Sequence, residues 1–494
     1  MYYGIRCRTC KLSRAWADSF VDRPVGLSAS DVSLALSDPF GLWHDHHGDP
    51  KLKDPEDEYD IFLKEQGLRV EKELLAKRHP RFVDLKDHPF EAATERTAAL
   101  MKKGNVVIYG GALSGGKMGL YGRPDVIEVG KPGTCLVEEY KLAGTPDATH
   151  KIQAVVYAHL LRKACGTECD CRIVSRRNEE FPIPYDQSEV EDAVQRARAI
   201  LASKEPPYPV YNCRSRWGTL QNKTVKERQD VTLAWNVGPS HAAKFHSMGV
   251  HTLRDLAELK PEALRTIKGL GPKKVPQIVN SVKAQLSKRP LKVGEWKLPE
   301  PRPALEIFLD LEGTGELFQD DPAWNCIYLI GLIPRSKAGT DPYKSFLAKA
   351  PGDEKATLME FLGYLGGQTS TYCLYHWTGY ERWELKKACE RHGFQTKYDN
   401  LILPHLRDLN ELAKAAYVLP TPGWSIKVVA PYFGFEWSQD ASEVDAMKSA
   451  MIWYKQAANG GNGAGLDRVL LYNEDDCRAM IVVRDGFERL KCNA

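Results

Sequence analysis

No apolar run in the 494 residues approaches the ~20 needed to span a bilayer, and the N-terminal MYYGIRCRTCKLSRAW lacks the apolar core of a signal peptide. These absences predict a cytoplasmic protein with no membrane partner. An excess of one charge is also missing. Lys and Arg number 68 against 65 Asp and Glu, a formal +3, so any affinity for nucleic acid must come from local grooves rather than a global field. The 12 cysteines form no regular framework, which excludes a disulfide scaffold and predicts reduced thiols that mostly pack. Cys7 and Cys10 make a CxxC, but no second CxxC completes a zinc or cluster site; Cys165, Cys169 and Cys171 are irregularly spaced and Cys213 stands alone. The segment LSGGKMG lacks the full Walker A pattern.

What is present is soluble-type material, 43% hydrophobic and 27% charged, enough for about three domains with separate cores. The stretch between Tyr121 and Leu161 concentrates the first candidate chemistry. DVIEV and TCLVEEYKL read as strands joined by GKPG, a four-residue hairpin signal. A period of two sends Glu139 and Lys141 to one face and Glu138 and Tyr140 to the other, and the hairpin brings Asp125, at the head of the first strand, beside Glu139. In the helix THKIQAVVYAHLL, Gln153 and Tyr157 share a face at i and i+4, while Ile152, Val155, Val156 and Leu160 pack it on the sheet. Two carboxylates can hold a hard cation that activates water and relieves charge on a phosphodiester under attack, with the ammonium beside it to orient the water or neutralise the phosphate.

Asp, then E-x-K, then Q-x-x-x-Y resembles the PD-(D/E)XK nucleases, in the RecB-like branch that includes the CRISPR-adaptation exonucleases. The resemblance implies that Asp125 and Glu139 bind metal, that Lys141 orients water or neutralises phosphate, and that Gln153 and Tyr157 shape the substrate groove. In that family an upstream G-x-x-x-H or G-x-x-x-E gives a further metal ligand; GLRVE places Glu71 there. Many members carry an iron–sulfur cluster whose first cysteine precedes a proline, a place held here by Ser37 before Asp38 and Pro39. The later cysteines of that cluster follow a double proline; here Pro206 and Pro207 precede Cys213, but Arg216 stands where the next cysteine would be, so no cluster is expected.

Along the rest of the first half, WHDHHGDP reads as a solvated loop for His44, His46 and His47, and residues 60–105 read as helices around the sheet. SEVEDAVQRARAIL starts with a capping box of Ser188 and Glu191, and the first domain closes near residue 212. Residues 213–229, with Arg214, Arg216, Lys223, Lys226, Arg228 and Trp217, read as a basic linker able to track a nucleic-acid backbone.

Residues 230–288 repeat a glycine-bearing turn leading into a helix, in VGPSHAAKFHSMGVHTLRDLAEL and LRTIKGLGPKKVPQIVNSVKAQL. The pair resembles tandem helix-hairpin-helix motifs. The turn at Gly269 and Gly271 offers free N–H groups at a helix start to a phosphate, and Lys273 and Lys274 add charge. KRPLKVGEWKLPEPRPALE is then an extended linker, residues 289–302.

A second constellation begins with EIFLDLEGTG, where Asp310 and Glu312 share a face of a strand made central by the antiparallel run CIYLIGLI that follows. Later segments carry Glu381, then Asp408 and Lys427, then Tyr472 and Asp476 at i and i+4, with Asp475 a rival. D-x-E, an acidic residue after Y-x-x-x-x-Y, and Y-x-x-x-D resemble the DnaQ-like 3'–5' exonucleases of ribonuclease H fold, closest to YprB-like domains, over residues 303–490. By that resemblance Asp310, Glu312, Glu381 and Asp476 hold two divalent cations and Tyr472 orients the attacking water. Glu381 departs from the usual aspartate by one methylene.

The expected fold is therefore α/β multidomain: a restriction-endonuclease-like PD-(D/E)XK domain (1–212), a basic linker (213–229), an all-α helix-hairpin-helix domain (230–288), a Pro-rich linker (289–302) and a ribonuclease H-like domain (303–494). This order resembles a little-characterised bacterial and archaeal family of RecB-family nucleases. It implies a Mg2+- or Mn2+-dependent nuclease acting on single-stranded DNA or free DNA ends in repair, recombination or defence, with any unwinding supplied by a separate helicase. The alternatives are a nuclease for RNA or RNA–DNA hybrids and a nucleic-acid-binding scaffold with one or both centres inactive.

Overall fold

The computed structural model describes residues 26–115, 119–131, 133–166, 168–315, 323–459, 463 and 465–492. Cys7 and Cys10 lie outside them. The chain divides into two compact units, residues 1–209 with 213–221, and residues 210–212 with 222–494. Among the described residues no helix is long and apolar enough to cross a membrane.

The first unit is built on a six-stranded sheet whose spatial order follows the sequence: β1 (Val83–Asp84), β2 (Val106–Tyr109), β3 (Val126–Val129), β4 (Thr134–Lys141), β5 (Glu168–Ser175) and β6 (Glu180–Ile183). β3 and β4 form the antiparallel hairpin, with Val126 opposite Glu138. β5 returns parallel to β4 through a crossover helix, Ala148–Cys165, as a parallel pair requires. That helix buries Val155, Val156, Leu160 and Leu161 with Ile127, Val137 and Ile173 of the sheet. The opposite face takes Val70, Leu74 and Leu75 of the helix Glu58–Arg78 against Val126, Tyr140 and Val174.

Three local expectations change. The helix Pro39–His47 runs through WHDHH, which is therefore no loop; Asp38 caps its start by accepting from the Gly41 N–H at 2.9 Å, and the His44 ring packs 4.3 Å from Phe40 and 5.0 Å from Trp217. The helix Gln187–Ala202 is capped by Asp186, which accepts from the N–H groups of Ser188 and Glu189, rather than by Ser188 itself, because the helix begins two residues earlier. Residues 213–229 are no free linker. They hold the helix Gly218–Arg228, and Trp217 is buried with its Nε1 donating to Asp45 Oδ1 at 2.9 Å.

The second unit starts with a small helical cluster, Pro239–Ser247, Leu253–Glu258, Pro261–Arg265 and Lys274–Ser287, around Phe245, Leu256, Leu270 and Ile278. The expected linker after it is docked instead of free: Leu291–Lys292 pairs antiparallel with Tyr417–Val418, and buried Trp296 stacks 4.9 Å from Phe487. Burying an indole outweighs the freedom of a proline-rich segment.

The remainder is a second six-stranded sheet. Its central strand β7 (Leu305–Gly313) lies between β8 (Ile327–Ser336), antiparallel, and β10 (Tyr372–His376), parallel; β11 (Leu406–Asp408) continues parallel to β10, and β9 (Lys344–Leu347) and the two-residue strand Gly339–Thr340 both pair with β8. One face packs on the helices Glu354–Gly366 and Gly379–Arg391, the other on the C-terminal helix Leu466–Cys492.

Candidate active centres

In the first unit the hairpin register puts Asp125 opposite Glu139. The Asp125 N–H donates to Glu139 Oε1 at 3.0 Å and the Tyr140 N–H donates to Asp125 Oδ2 at 2.9 Å. Lys141 Nζ donates to Glu139 Oε2 at 2.9 Å and to Gln153 Oε1 at 3.1 Å, and Gln153 Nε2 donates to the Tyr157 hydroxyl at 3.2 Å. The six residues expected here therefore divide into one connected chain, Asp125 through Tyr157, and Glu71, which joins through a residue the sequence did not flag. Lys86 Nζ lies 2.6 Å from Glu71 Oε1 and 3.6 Å from Asp125 Oδ1, and the Tyr109 hydroxyl donates to Glu71 at 2.8 Å. Gly122 makes room for Tyr157: a Cβ there would stand 2.4 Å from its ring.

Lys86 is held by its backbone. Arg123 donates to the carbonyls of Leu85 (2.6 Å), Lys86 (2.9 Å), Gly110 (3.0 Å) and His88 (3.0 Å), and Gly110, at φ +64°, lies so close that a Cβ would meet Lys86 Cα at 2.6 Å.

The electrostatics of this pocket fit a hard cation. Burial, then Glu139 and Glu71, push the Asp125 carboxyl up to about 7. Burial alone would lower both lysines, yet Glu139 and Asp125 around Lys141, and Asp125 and Glu71 around Lys86, raise them. A second grouping, His79, Glu128 and Glu138, also brings possible ligand atoms within 4.8 Å. It is a structural cluster instead, since buried Glu138 already accepts from Arg78, Arg172, His79 (2.8 Å) and the Tyr140 hydroxyl (3.0 Å).

In the second unit Asp310 and Glu312 leave the same face of β7. Burial, then Asp476, Glu312 and Glu381, raise the Asp310 carboxyl well above its ordinary range, and burial with Asp476 pushes Glu312 up to about 8. Asp476 on the C-terminal helix is raised by burial and countered by Lys427, whose Nζ is 3.4 Å from Asp476 Oδ1 and 4.2 Å from the ring centroids of both Trp437 and Tyr472. Trp437 Nε1 donates to Asp476 Oδ1 at 2.7 Å, and Tyr472 also bonds to Asp476. Glu381, in the first turn of its helix, accepts from Thr378 Oγ1 at 2.9 Å and lies 3.4 Å from His376 Nδ1. The structure thus brings Asp310, Glu312, Glu381 and Asp476 into one electrostatic neighbourhood. Asp475 is elsewhere engaged, accepting from the N–H and hydroxyl of Ser438 at 2.8 and 2.7 Å.

Residues 307–487 match the RNase_H superfamily. The RNase H-like domain is joined by a match of residues 236–284 to the SAM-like helix-hairpin-helix tandem. No curated protein matches the chain. Among solved structures, the crystal structure of SSO0001 is similar at 15% identity and a TM-score of 0.22, over 40% of this chain and 84% of that one. A provisionally named exonuclease from Eubacterium rectale is similar at 13% identity and a TM-score of 0.23, over 43% and 93%. At these TM-scores the likeness fixes neither fold nor function.

Within the RNase H-like domain the sequence missed Asn473, whose Nδ2 donates to Asp310 Oδ2 at 2.7 Å while its Oδ1 accepts from the Tyr343 hydroxyl at 2.7 Å. It also missed Trp437, and Tyr328, whose hydroxyl lies 3.4 Å from Glu312 Oε2 and 2.7 Å from Ser449 Oγ. The available signal was Gly331 in the middle of buried CIYLIGLI, since an isolated strand glycine marks a close approach.

In the helix-hairpin-helix module the turn at Gly269 (φ +89°) and Gly271 is exposed, with Lys273 and Lys274, and the helix Lys274–Ser287 has no side chain capping its start. Arg214 and Arg216 are differently placed: Arg214 donates to Asp60 Oδ1 at 2.8 Å over the Tyr59 ring, and Arg216 donates to the Asp54 carbonyl at 2.9 Å. Both guanidinium groups make these contacts within their own unit.

Proposed function

We propose that this chain is a divalent-metal-dependent nuclease that hydrolyses DNA phosphodiesters at two separate centres, exonucleolytically on single-stranded ends, with the helix-hairpin-helix tandem holding the DNA backbone. The single observation that carries the reading is the gathering, in each unit, of buried and half-buried carboxylates from distant segments around half-buried lysines: Asp125, Glu139 and Glu71 with Lys141 and Lys86, and Asp310, Glu312 and Asp476 with Lys427. Acids so crowded stay ionised only beside cations. The RNase_H superfamily match supports a nuclease for the second centre, and the strand–hairpin–helix–parallel strand layout supports a RecB-like PD-(D/E)XK reading of the first.

Mg2+ or Mn2+, when bound, would supply a water of lowered pKa and relieve charge on the phosphate. Asp125 and Glu139, with Glu71, would hold it in the first centre, and Asp310, Glu312, Glu381 and Asp476 in the second. Lys141, fixed between Glu139 and Gln153, orients its ammonium toward the same pocket as Asp125 and can steer a phosphate oxygen or a water. Tyr157, pushed up by burial and Glu139, stays protonated and positions Gln153, whose amide donates to its hydroxyl. Tyr472 likewise stays protonated beside Asp476, where it can orient a water. Lys273, Lys274 and the Gly269–Gly271 turn would bind the backbone without reading sequence.

The deciding experiment incubates labelled single-stranded DNA, duplex DNA and RNA with Mn2+ or Mg2+ and wild type, Asp125→Ala, Asp310→Ala or the double variant. Each single variant should lose part of the DNA cleavage and the double variant all of it. Cleavage of RNA alone would overturn the substrate class, and DNA binding without cleavage would make the chain a scaffold.

A further inference from the structure

Beside the second centre lies a cleft of about 1010 Å³ that the catalytic reading leaves without a role. One wall is the outer face of the helix Gly379–Arg391, where Gly379, Arg382, Trp383 and Lys386 recur at helical spacing, and the floor reaches His376 at the end of β10. Glu381 and Leu385 of the same helix are buried on its inner face. The cleft and the centre meet at the 3.4 Å approach of His376 Nδ1 to Glu381.

Trp383 is 62% exposed, the most exposed large hydrophobic side chain among the described residues. An exposed indole presents a flat apolar face on which another ring can stack. Lys386 Nζ stands 5.9 Å from its ring centroid and 3.8 Å from Glu390 Oε1 on the same helix face, Arg382 is exposed next to it, and Arg407 lines the opposite side. The acids of the cleft are in part held by the protein: Asp408 caps the helix Leu409–Ala416 by accepting from the Glu411 N–H at 3.0 Å, and Asp399 accepts from Gln395 at 2.9 Å. The rim near Trp383 thus offers an aromatic plane with cations beside it.

We propose that this cleft binds unpaired nucleotides of a single strand, with a base stacked on Trp383 and its phosphates beside Arg382 and Lys386. A flat ring accepts any base face, and the neighbouring cations follow the backbone, so recognition needs unpaired bases and no particular sequence. A duplex hides its base faces and gains only the charge contact. The inference rests on the nuclease reading of the second centre for its purpose, while the binding itself requires no metal and no cleavage.

The test measures fluorescence anisotropy of a short labelled oligodeoxynucleotide with the full chain in EDTA, for wild type, Trp383→Ala, Trp383→Phe and Arg382→Glu with Lys386→Glu. Trp383→Ala should weaken single-strand binding about 5- to 150-fold with an unchanged melting temperature, as expected for loss of one stacked base. Trp383→Phe should keep most of the affinity, the charge-reversed pair should lose it, and an abasic oligonucleotide should bind wild type and Trp383→Ala equally. Unchanged affinity in Trp383→Ala overturns the proposal and leaves a protein-docking face. Equal losses on duplex and single strand overturn it in favour of charge alone. If Trp383→Ala loses binding while the wild type cleaves nothing in Mn2+, the cleft stands and the nuclease reading fails; if the wild type cleaves and Trp383→Ala binds as tightly, the nuclease reading stands and the cleft fails.

Discussion

Asn473 and Asp310 stand 163 residues apart in sequence, and the amide of one donates to the carboxylate of the other at 2.7 Å. The contact depends on Gly331 of the neighbouring strand, where a Cβ would fall 1.6 Å from Asn473 Oδ1. Gly331→Ala should therefore expel Asn473 and let Asp310 swing. Overpacking of this kind costs about 1–3 kcal/mol, and an ångström of misplacement at a reacting group about 100-fold in rate. Asn473→Ala should reproduce the rate loss without the steric strain. Both are read as kcat with the first centre silenced by Asp125→Ala, alongside melting temperature.

Arg123 tests the first centre without touching its carboxylates. Its guanidinium fixes the carbonyls of Leu85, Lys86 and His88, and so the stem of Lys86. Arg123→Ala should lower first-centre cleavage about 10-fold or more through lost orientation, and Lys86→Ala should match it. If Lys86→Ala cleaves at the wild-type rate with Asp310→Ala present, Lys86 has no part in the reaction.

Removal of the divalent ion should make stability depend on pH in a defined direction. Burial, Glu139 and Glu71 push Asp125 up to about 7 in the ion-free fold, and Glu312 is pushed to about 8, against unfolded values of ~3.9 and ~4.3. Between those values the folded chain holds more protons than the unfolded one, so stability falls as pH rises through that window. Chelated protein should melt at a lower temperature near pH ~8 than near pH ~5.5. Mn2+ should raise the melting temperature most at the higher pH, and Asp125→Asn should flatten the slope in part.

Glu138 should prove structural. Its carboxylate is buried; burial would raise it, but hydrogen bonds from His79, Arg78 and Arg172 prevail and hold it well below the usual carboxylate range. Glu138→Gln leaves Arg78 and Arg172 with only the exposed Glu180 as counter-charge, at 2.6 and 3.0 Å, and should destabilise the first unit by somewhat less than the ~3–5 kcal/mol of a fully broken buried pair. Denaturant titration checks this, and Mn2+ affinity of the folded variant should be unaltered if the His79 grouping holds no metal.

Lys273→Glu with Lys274→Glu should weaken DNA binding to a similar degree on every sequence and reduce the salt slope of log K by about 1–2. A sequence-dependent loss would instead place these lysines against bases.

The period-2 and i, i+4 patterns were legible because backbone geometry alone dictates them. Glu139 and Lys141 share a face, as do Gln153 and Tyr157, and the structure shows both pairs in contact through Lys141 and Gln153. Asp310 and Glu312 on a central strand follow the same rule. Capping was less legible: Asp186 and Ser188 are both sound caps in isolation, and packing chose Asp186. Arg214 and Arg216 read as members of a basic segment, and only the fold shows that Arg214 meets Asp60 and Arg216 the Asp54 carbonyl.

From sequence alone came which residue types could do phosphodiester chemistry and which face of each element they occupy, since a strand or helix repeats on a scale of a few residues. Tertiary structure alone decided that Lys86 reaches Glu71 and Asp125, that Lys427 lies between Trp437 and Tyr472, and that Asn473 steadies Asp310. Those contacts join segments with no shared period, and only the packing of sheets and helices brings their side chains within bonding distance.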